Sequence, residues 1–155
     1  IMFEFDGRHL LADVLVDNGD TLSDPAIGIE MLEAIVERVD MTMILPPITV
    51  KFPHSISEMH RVLLSLEREG LTDSKTAQKI RNALSEREDG AYGYSTFVMI
   101  AESHISLHTF PELNYFSFDC YSCKYFEVDA VEEIIRDYFP VRKMNAQRLV
   151  RHIPS

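Results

Sequence analysis

Between residues 104 and 123 the chain changes character with every step. His104, Ser106 and His108 fall on one side of an extended run, with Ile105 and Leu107 on the other. After a Phe110-Pro111-Glu112 turn, Tyr115, Ser117, Asp119, Tyr121 and Cys123 alternate with Phe116, Phe118, Cys120 and Ser122. Successive side chains of a strand point to opposite faces, so a period of two fixes both the conformation and the side on which each residue lies. Each of these two strands has one apolar and one chemically equipped face. That pattern calls for an antiparallel sheet with helices packed on one side and a site on the other.

The flanking sequence supplies the remaining layers. Residues 9–16 are apolar and β-branched and end at Asp17-Asn18-Gly19-Asp20, as a first strand and its turn. From 25 to 39 the apolar spacing becomes three to four, an amphipathic helix with Ser23 or Asp24 as N-cap. Residues 41–52 are strand-like on both sides of Pro46-Pro47, which demands an edge, a bulge or a bend. Residues 55–90 read as a helical hairpin. Ser55 and Glu58 fit a capping box, Met59, Val62, Leu63 and Leu66 line one face, and Gly70 ends the first helix. Thr72 or Asp73 caps a second helix with Ala77, Ile80 and Leu84 inward, running to Gly90. The hairpin is either a charged surface element or a lid or partner surface. Residues 94–101 are apolar on both faces, as for a central strand. Residues 128–138 form a last helix with Val131, Ile134 and Ile135 inward, stopped at Pro140, and residues 141–153 form a basic edge strand.

One domain is expected for 155 residues of which 46% are hydrophobic. The formal charge of −10 opposes binding to phosphate backbones and suits a cationic small molecule. Neither end carries the roughly 20 apolar residues of a membrane span, so a cytoplasmic location is expected. A metal site built from His104, His108, Cys120 and Cys123 conflicts with the geometry, because histidines four apart on a strand are separated by about 13 Å. Cys120 and Cys123 face opposite ways, whereas a redox Cys-x-x-Cys opens a helix. Each residue alone has an ordinary structural reading. Serine, histidine and cysteine within one hairpin suggest chemistry.

The run Glu102-Ser103-His104-Ile105-Ser106-Leu107-His108-Thr109-Phe110-Pro111-Glu112 resembles the signature of the bacterial and archaeal S-adenosylmethionine decarboxylases. Gly93-Tyr94-Ser95-Thr96 sits where that family has Gly-Val-Ser-Gly, Cys123 falls at the spacing of its catalytic cysteine, and residues 7–13 are similar to its first strand. The resemblance covers nearly all of the chain outside an inserted hairpin at 55–90. It implies a self-processing proenzyme: Ser103 attacks the carbonyl of Glu102, the chain divides into 1–102 and 103–155, and residue 103 becomes a pyruvoyl group. It assigns Ser95 and His108 to processing, with His108 as the base, and Cys123 to protonation of the substrate carbon. It explains why no lysine-anchored cofactor motif is needed, because the pyruvoyl ketone condenses with the substrate amine and takes up the electrons released with carbon dioxide; no metal is expected.

Further expectations follow from the resemblance. Phe110 stands at the position of an adenine-stacking aromatic, usually tryptophan, and Phe52 is the candidate for a second one. Glu112 is placed to hold ribose hydroxyls or to order its loop. Thr96 replaces a glycine and Asn114 stands where the turn usually has glycine, so the departures border the nucleoside pocket. The expected protein is an α/β (α+β) two-layer sandwich and a homodimer. It would decarboxylate S-adenosylmethionine, supplying aminopropyl groups for polyamine synthesis. An arginine or ornithine decarboxylase on the same scaffold is the first alternative, and a non-processing regulatory homologue the second.

Overall fold

The computed structural model describes residues 6–52, 56–85 and 93–155. Its elements are β1 (Asp6–Val16), α1 (Pro25–Arg38), β2 (Ile48–Phe52), α2 (Ile56–Arg68), α3 (Ser74–Ser85), β3 (Gly93–Ile100), β4 (Ser103–Phe110), β5 (Tyr115–Ser122), α4 (Val128–Tyr138) and β6 (Val141–His152). The strands form one sheet in the order β2-β3-β4-β5-β1-β6, antiparallel at every pairing. This is the two-layer α/β sandwich that the alternating pattern predicts.

The apolar residues of the alternation all turn to one face. Leu10, Ala12 and Val14 of β1, Ile105 and Leu107 of β4, and Phe116, Phe118 and Cys120 of β5 are buried there. They meet Met31, Leu32 and Ile35 of α1 and Val131 and Ile135 of α4. Each large side chain taken out of water contributes about 1.5–3 kcal/mol, so this contact is the main favourable term in the fold.

The helix ends are specified locally. Asp24 caps α1 by accepting from the Ala26 N–H at 3.0 Å, ahead of Pro25 in the first turn. At the other end Asp40 takes a left-handed conformation (φ 55°), and the Met41 N–H returns to the Val36 carbonyl at 3.0 Å. That six-to-one closure is a Schellman cap with aspartate in the place usually held by glycine.

The edge positions agree with the sequence reading. β2, following Pro46-Pro47, is one edge, and before the prolines only an isolated bridge, Met43 to Ile100, remains. β6 is the other edge. β1 extends three residues further toward the N-terminus than predicted because β6 pairs with it back to Asp6. β3 is interior, yet its apolar second face is uncovered: Phe97 and Met99 are exposed. Both faces of a strand can be apolar without both being packed, and the pattern alone does not report which.

The hairpin forms as α2 and α3, with left-handed Gly70 closing α2. Asp73 caps α3, accepting from the Thr76 N–H at 2.7 Å and from its hydroxyl at 3.1 Å; these bonds hold the Asp73 carboxyl below its ordinary range. Leu63 and Ala77 are buried, and Arg81 pairs with Glu67. Ile80 departs from expectation and is exposed. Its spacing places it on the α3 stripe, but no layer covers that part of the helix. The Ser55 half of the capping box and the extension to Gly90 lie outside the described residues.

Gly28 is where α1 presses closest to the sheet. A Cβ there would lie 2.3 Å from the Tyr94 hydroxyl and 2.9 Å from Leu107 Cδ2. Gly28→Ala should therefore destabilise the protein by about 1–3 kcal/mol through overpacking, although alanine is the better helix former by about 1 kcal/mol. Denaturant unfolding measures this, and a stabilised variant would contradict the close approach.

Candidate active site

The polar residues of the alternation lie on the uncovered face of the sheet, and the register sorts them into rows. Ser95 of β3 is opposite His108 of β4, His108 is opposite Ser117 of β5, and Ser117 is opposite Asp13 of β1. Within this row His108 Nδ1 and Ser95 Oγ are hydrogen-bonded at 2.8 Å. The Tyr115 hydroxyl donates to Asp13 at 2.6 Å, and burial together with that carboxylate pushes the phenol up to about 12.

The adjoining row is aromatic. Phe52 is opposite Gly93, and Phe110 stacks on Tyr115 at 5.4 Å between centroids with 22° between planes. Gly93 adopts φ 110°, and a Cβ on it would lie 2.7 Å from the Thr109 carbonyl and from Pro111. A side chain is sterically excluded there, so the position opposite Phe52 is held for glycine. Glu112 is exposed in the short 3₁₀ turn after Phe110, where left-handed Asn114 (φ 51°) does what glycine would do.

Ser103 and Cys123 sit at the opposite end of the same strands. Ser103 opens β4, half-buried, with φ 154°, at the margin of a region that favours glycine, a strain of about 1–3 kcal/mol. Its strand partner is Ser122. The next residue, Cys123, turns outward, and its backbone N–H donates to the Glu102 carbonyl at 2.8 Å. The peptide bond between Glu102 and Ser103 is thus polarised by the backbone N–H of the exposed cysteine.

The expected constellation is divided in two. Ser95, His108, Phe110 and Phe52 share one end of the sheet; Glu102, Ser103 and Cys123 share the other. Five residues of extended strand separate Ser103 from His108, about 16 Å. Convergence within one hairpin, as expected from their nearness in sequence, therefore fails within a single chain.

Some neighbours on this face could not be found from the pattern. The His9 ring donates to Asp119 at 3.0 Å across β1 and β5, and Phe97, His104, Tyr121 and His9 form a ladder of ring contacts at 5.6–5.8 Å. His9 and Asp119 are 110 positions apart, and alternation gives a face without giving a partner. Among the described residues no group of three or more histidine, cysteine or acidic side chains is arranged for a metal ion.

The two cysteines are chemically distinct. Cys120 is fully buried and burial pushes its thiol up to about 12, while Cys123 is exposed. Iodoacetamide at about pH 8 should add a single group to the native protein, on Cys123, with Cys120 reacting only after unfolding. Mass spectrometry of the adducts measures this, and two adducts on folded protein would contradict the assignment.

Known proteins are similar to this chain in sequence and in fold. The family model for S-adenosylmethionine decarboxylase matches residues 68–152. S-adenosylmethionine decarboxylase proenzyme 2 of Bacillus cereus is 35% identical over 71 residues, covering 45% of this chain and 58% of the relative's length. The S-adenosylmethionine decarboxylase proenzyme of Clostridium botulinum (strain Loch Maree / Type A3) is 24% identical over 149 residues, covering 96% of each chain. The fold is similar to the crystal structure of the adenosylmethionine decarboxylase from Aquifex aeolicus, with a TM-score of 0.64 at 20% identity over 99% of this chain and 96% of that one. With more than half of its residues matched by the family model, the chain belongs to the S-adenosylmethionine decarboxylase family.

Proposed function

We propose that this protein is a self-processing decarboxylase of S-adenosylmethionine, acting in the cytoplasm and supplying an aminopropyl donor for polyamine synthesis. The observation that carries the reading is the 2.8 Å bond from the Cys123 N–H to the Glu102 carbonyl. It holds the exposed cysteine turn against the one peptide bond whose serine the family motif marks for rearrangement.

Ser103 Oγ adds to the Glu102 carbonyl carbon, the C–N bond breaks, and an ester joins the two halves while the nitrogen takes up the hydroxyl proton. The donor at the carbonyl stabilises the oxyanion that forms on the way. Removal of the Ser103 α-proton then expels the Glu102 carboxylate from Cβ. Water replaces the nitrogen of the dehydrated residue, releasing ammonia and leaving a pyruvoyl group on a chain of residues 103–155. No oxidant or reductant enters.

The residues at this end fit such a group: a strained, half-buried position 103 with an exposed thiol one turn away. When present it supplies an electrophilic ketone that binds the substrate amine and draws off the electron pair left by carbon dioxide. Cys123 returns a proton to that carbon. Phe52 and Phe110 receive the adenine, and Glu112 reaches the ribose. Phenylalanine at 110 offers less area than an indole, and its stacking on Tyr115 fixes the ring in place.

His108 and Ser95 act from a second copy of the chain. They lie too far from Ser103 in their own chain, about 16 Å along the strand. The uncovered face carries Ser95 and His108 together with exposed Phe97, Met99 and Leu149, while Ser103 opens β4 at its other end, in register with buried Ser122. Two such faces related by a two-fold axis bring the His108 end of one onto the Ser103 end of the other.

Intact-mass measurement after purification tests the processing: two fragments split at 102/103 are expected, and Ser103→Ala should remain one chain without activity. A wild-type chain that stays whole on long incubation would overturn the reading. Mixing tests the assembly. His108→Ala protein, uncleaved alone, should be cleaved after exchange with Ser103→Ala protein, because one mixed site keeps both groups. Carbon dioxide release should be seen with S-adenosylmethionine and not with arginine, ornithine or lysine; release from one of those amino acids alone would reassign the substrate.

A further inference from the structure

The residues that follow α1 cross directly beside the Glu102–Ser103 bond. After the left-handed Asp40, Thr42 and Ile44 pair with the end of β3 and the residue beyond it: the Ala101 N–H donates to the Thr42 carbonyl at 2.8 Å and the Ile44 N–H to the Met99 carbonyl at 3.1 Å. The Thr42 N–H donates to Glu102 Oε2 at 3.1 Å. From the other side Lys124 reaches the same segment. Its ammonium donates to the Asp40 carbonyl at 2.9 Å and lies 3.7 Å from the Asp40 carboxylate, while its backbone N–H is fixed on Ser122 Oγ at 2.9 Å.

One strap of five residues therefore touches both Glu102 and the turn that holds its carbonyl. It grips Glu102 through the side chain, and through Lys124 it ties down the turn whose Cys123 N–H holds the Glu102 carbonyl. We propose that residues 40–44 form a positioning strap for chain cleavage, in which the Thr42 N–H orients Glu102 and the Lys124–Asp40 tie orients the Cys123 turn. The inference rests on the processing reading above and goes beyond it, by naming groups outside the serine motif that set the rate of the acyl shift. The physical reason is orientation. A serine hydroxyl attacks its own preceding carbonyl only from a narrow range of directions. Hydrogen bonds that fix the plane of that carbonyl raise the fraction of time spent in a reactive arrangement. Both Thr42 and Lys124 are exposed, so their bonds contribute little to the core and can be removed without emptying it.

The experiment follows fragment formation over time by mass spectrometry in purified wild type, Glu102→Ala, Glu102→Gln and Lys124→Met. Glu102→Ala, which loses the acceptor for Thr42, should cleave about tenfold more slowly, the equivalent of one charge-assisted hydrogen bond. Glu102→Gln keeps an oxygen for the Thr42 N–H and should fall between alanine and wild type. Lys124→Met should slow cleavage several-fold. Thermal midpoints should stay near wild type, and the slow variants should accumulate no hydroxylamine-sensitive ester, since the step affected is ester formation. Wild-type protein that never cleaves overturns the processing reading and this inference with it. Cleaving wild type with Glu102→Ala at the same speed overturns the inference alone, as does a glutamine variant no faster than alanine.

Discussion

An extended strand advances about 3.3 Å per residue and cannot be shortened without losing its ladder. In β4 that spacing decides what a single chain can do. Ser103 and His108 share a strand of eight residues, and the same pairing that fixes them in the sheet holds them apart. β3 and β5 carry the division outward: Ser95 is opposite His108, and Ser122, next to Cys123, is opposite Ser103. A flexible loop could have folded its serine back onto its histidine. A strand held on both sides has no such freedom, so chemistry that needs both ends must import one of them from another molecule.

The same rigidity explains what was legible in the sequence. Period-two alternation at 104–108 and 115–123 gave the core face and the open face residue by residue, because in a strand the pattern is the geometry. The helices over 25–39 and 128–138 were readable from apolar spacing, with caps at Asp24 and before Pro140. What could not be read was anything requiring a partner from a distant strand. His9 finds Asp119, Thr42 finds Glu102 and Lys124 finds Asp40 through the sheet order, and the sheet order follows from the global packing of six strands. Ile80 was misplaced for a related reason, since periodicity names the apolar stripe of a helix but does not supply the layer that would cover it. The strand spacing that sets His104 about 13 Å from His108 sets Ser103 about 16 Å from His108 as well.

The departures from the family pattern acquire physical meaning in this sheet. Thr96, where the family has glycine, is buried, and its hydroxyl lies 2.8 Å from that of Thr49 on the edge strand β2. β2 has only five residues and pairs on one side alone, so a half-buried side-chain bond between its centre and β3 adds to the ladder that fixes it. Phe52 at the end of β2 keeps its place opposite Gly93 through that attachment. Asn114 fills the left-handed position of the turn and in addition accepts from the Gly19 N–H at 2.8 Å, a bond glycine could not provide. The substitutions exchange backbone freedom for side-chain hydrogen bonds, and they do so around the aromatic end of the face.

The helical hairpin fits the same account. Phe52 and Gly93 are direct partners in an antiparallel ladder, so the strands on either side would be equally well joined by a short turn. Whatever lies between them enters and leaves the sheet at one point, and lengthening it changes the closure entropy only by about 0.6 kcal/mol per doubling. α2 and α3 can therefore be present without moving Ser95 or Phe110. Their buried contact is with each other, at Leu63 and Ala77, and with the groove that α2 forms against Pro46, Pro47 and Ile48. That groove runs along the outer edge of the sheet from Leu45 to Thr49, and Leu45 follows directly on the 40–44 segment beside Glu102. Along that edge α2 borders both Leu45, next to the 40–44 strap, and β2, the strand that carries Phe52 and is held to β3 by the Thr49–Thr96 bond.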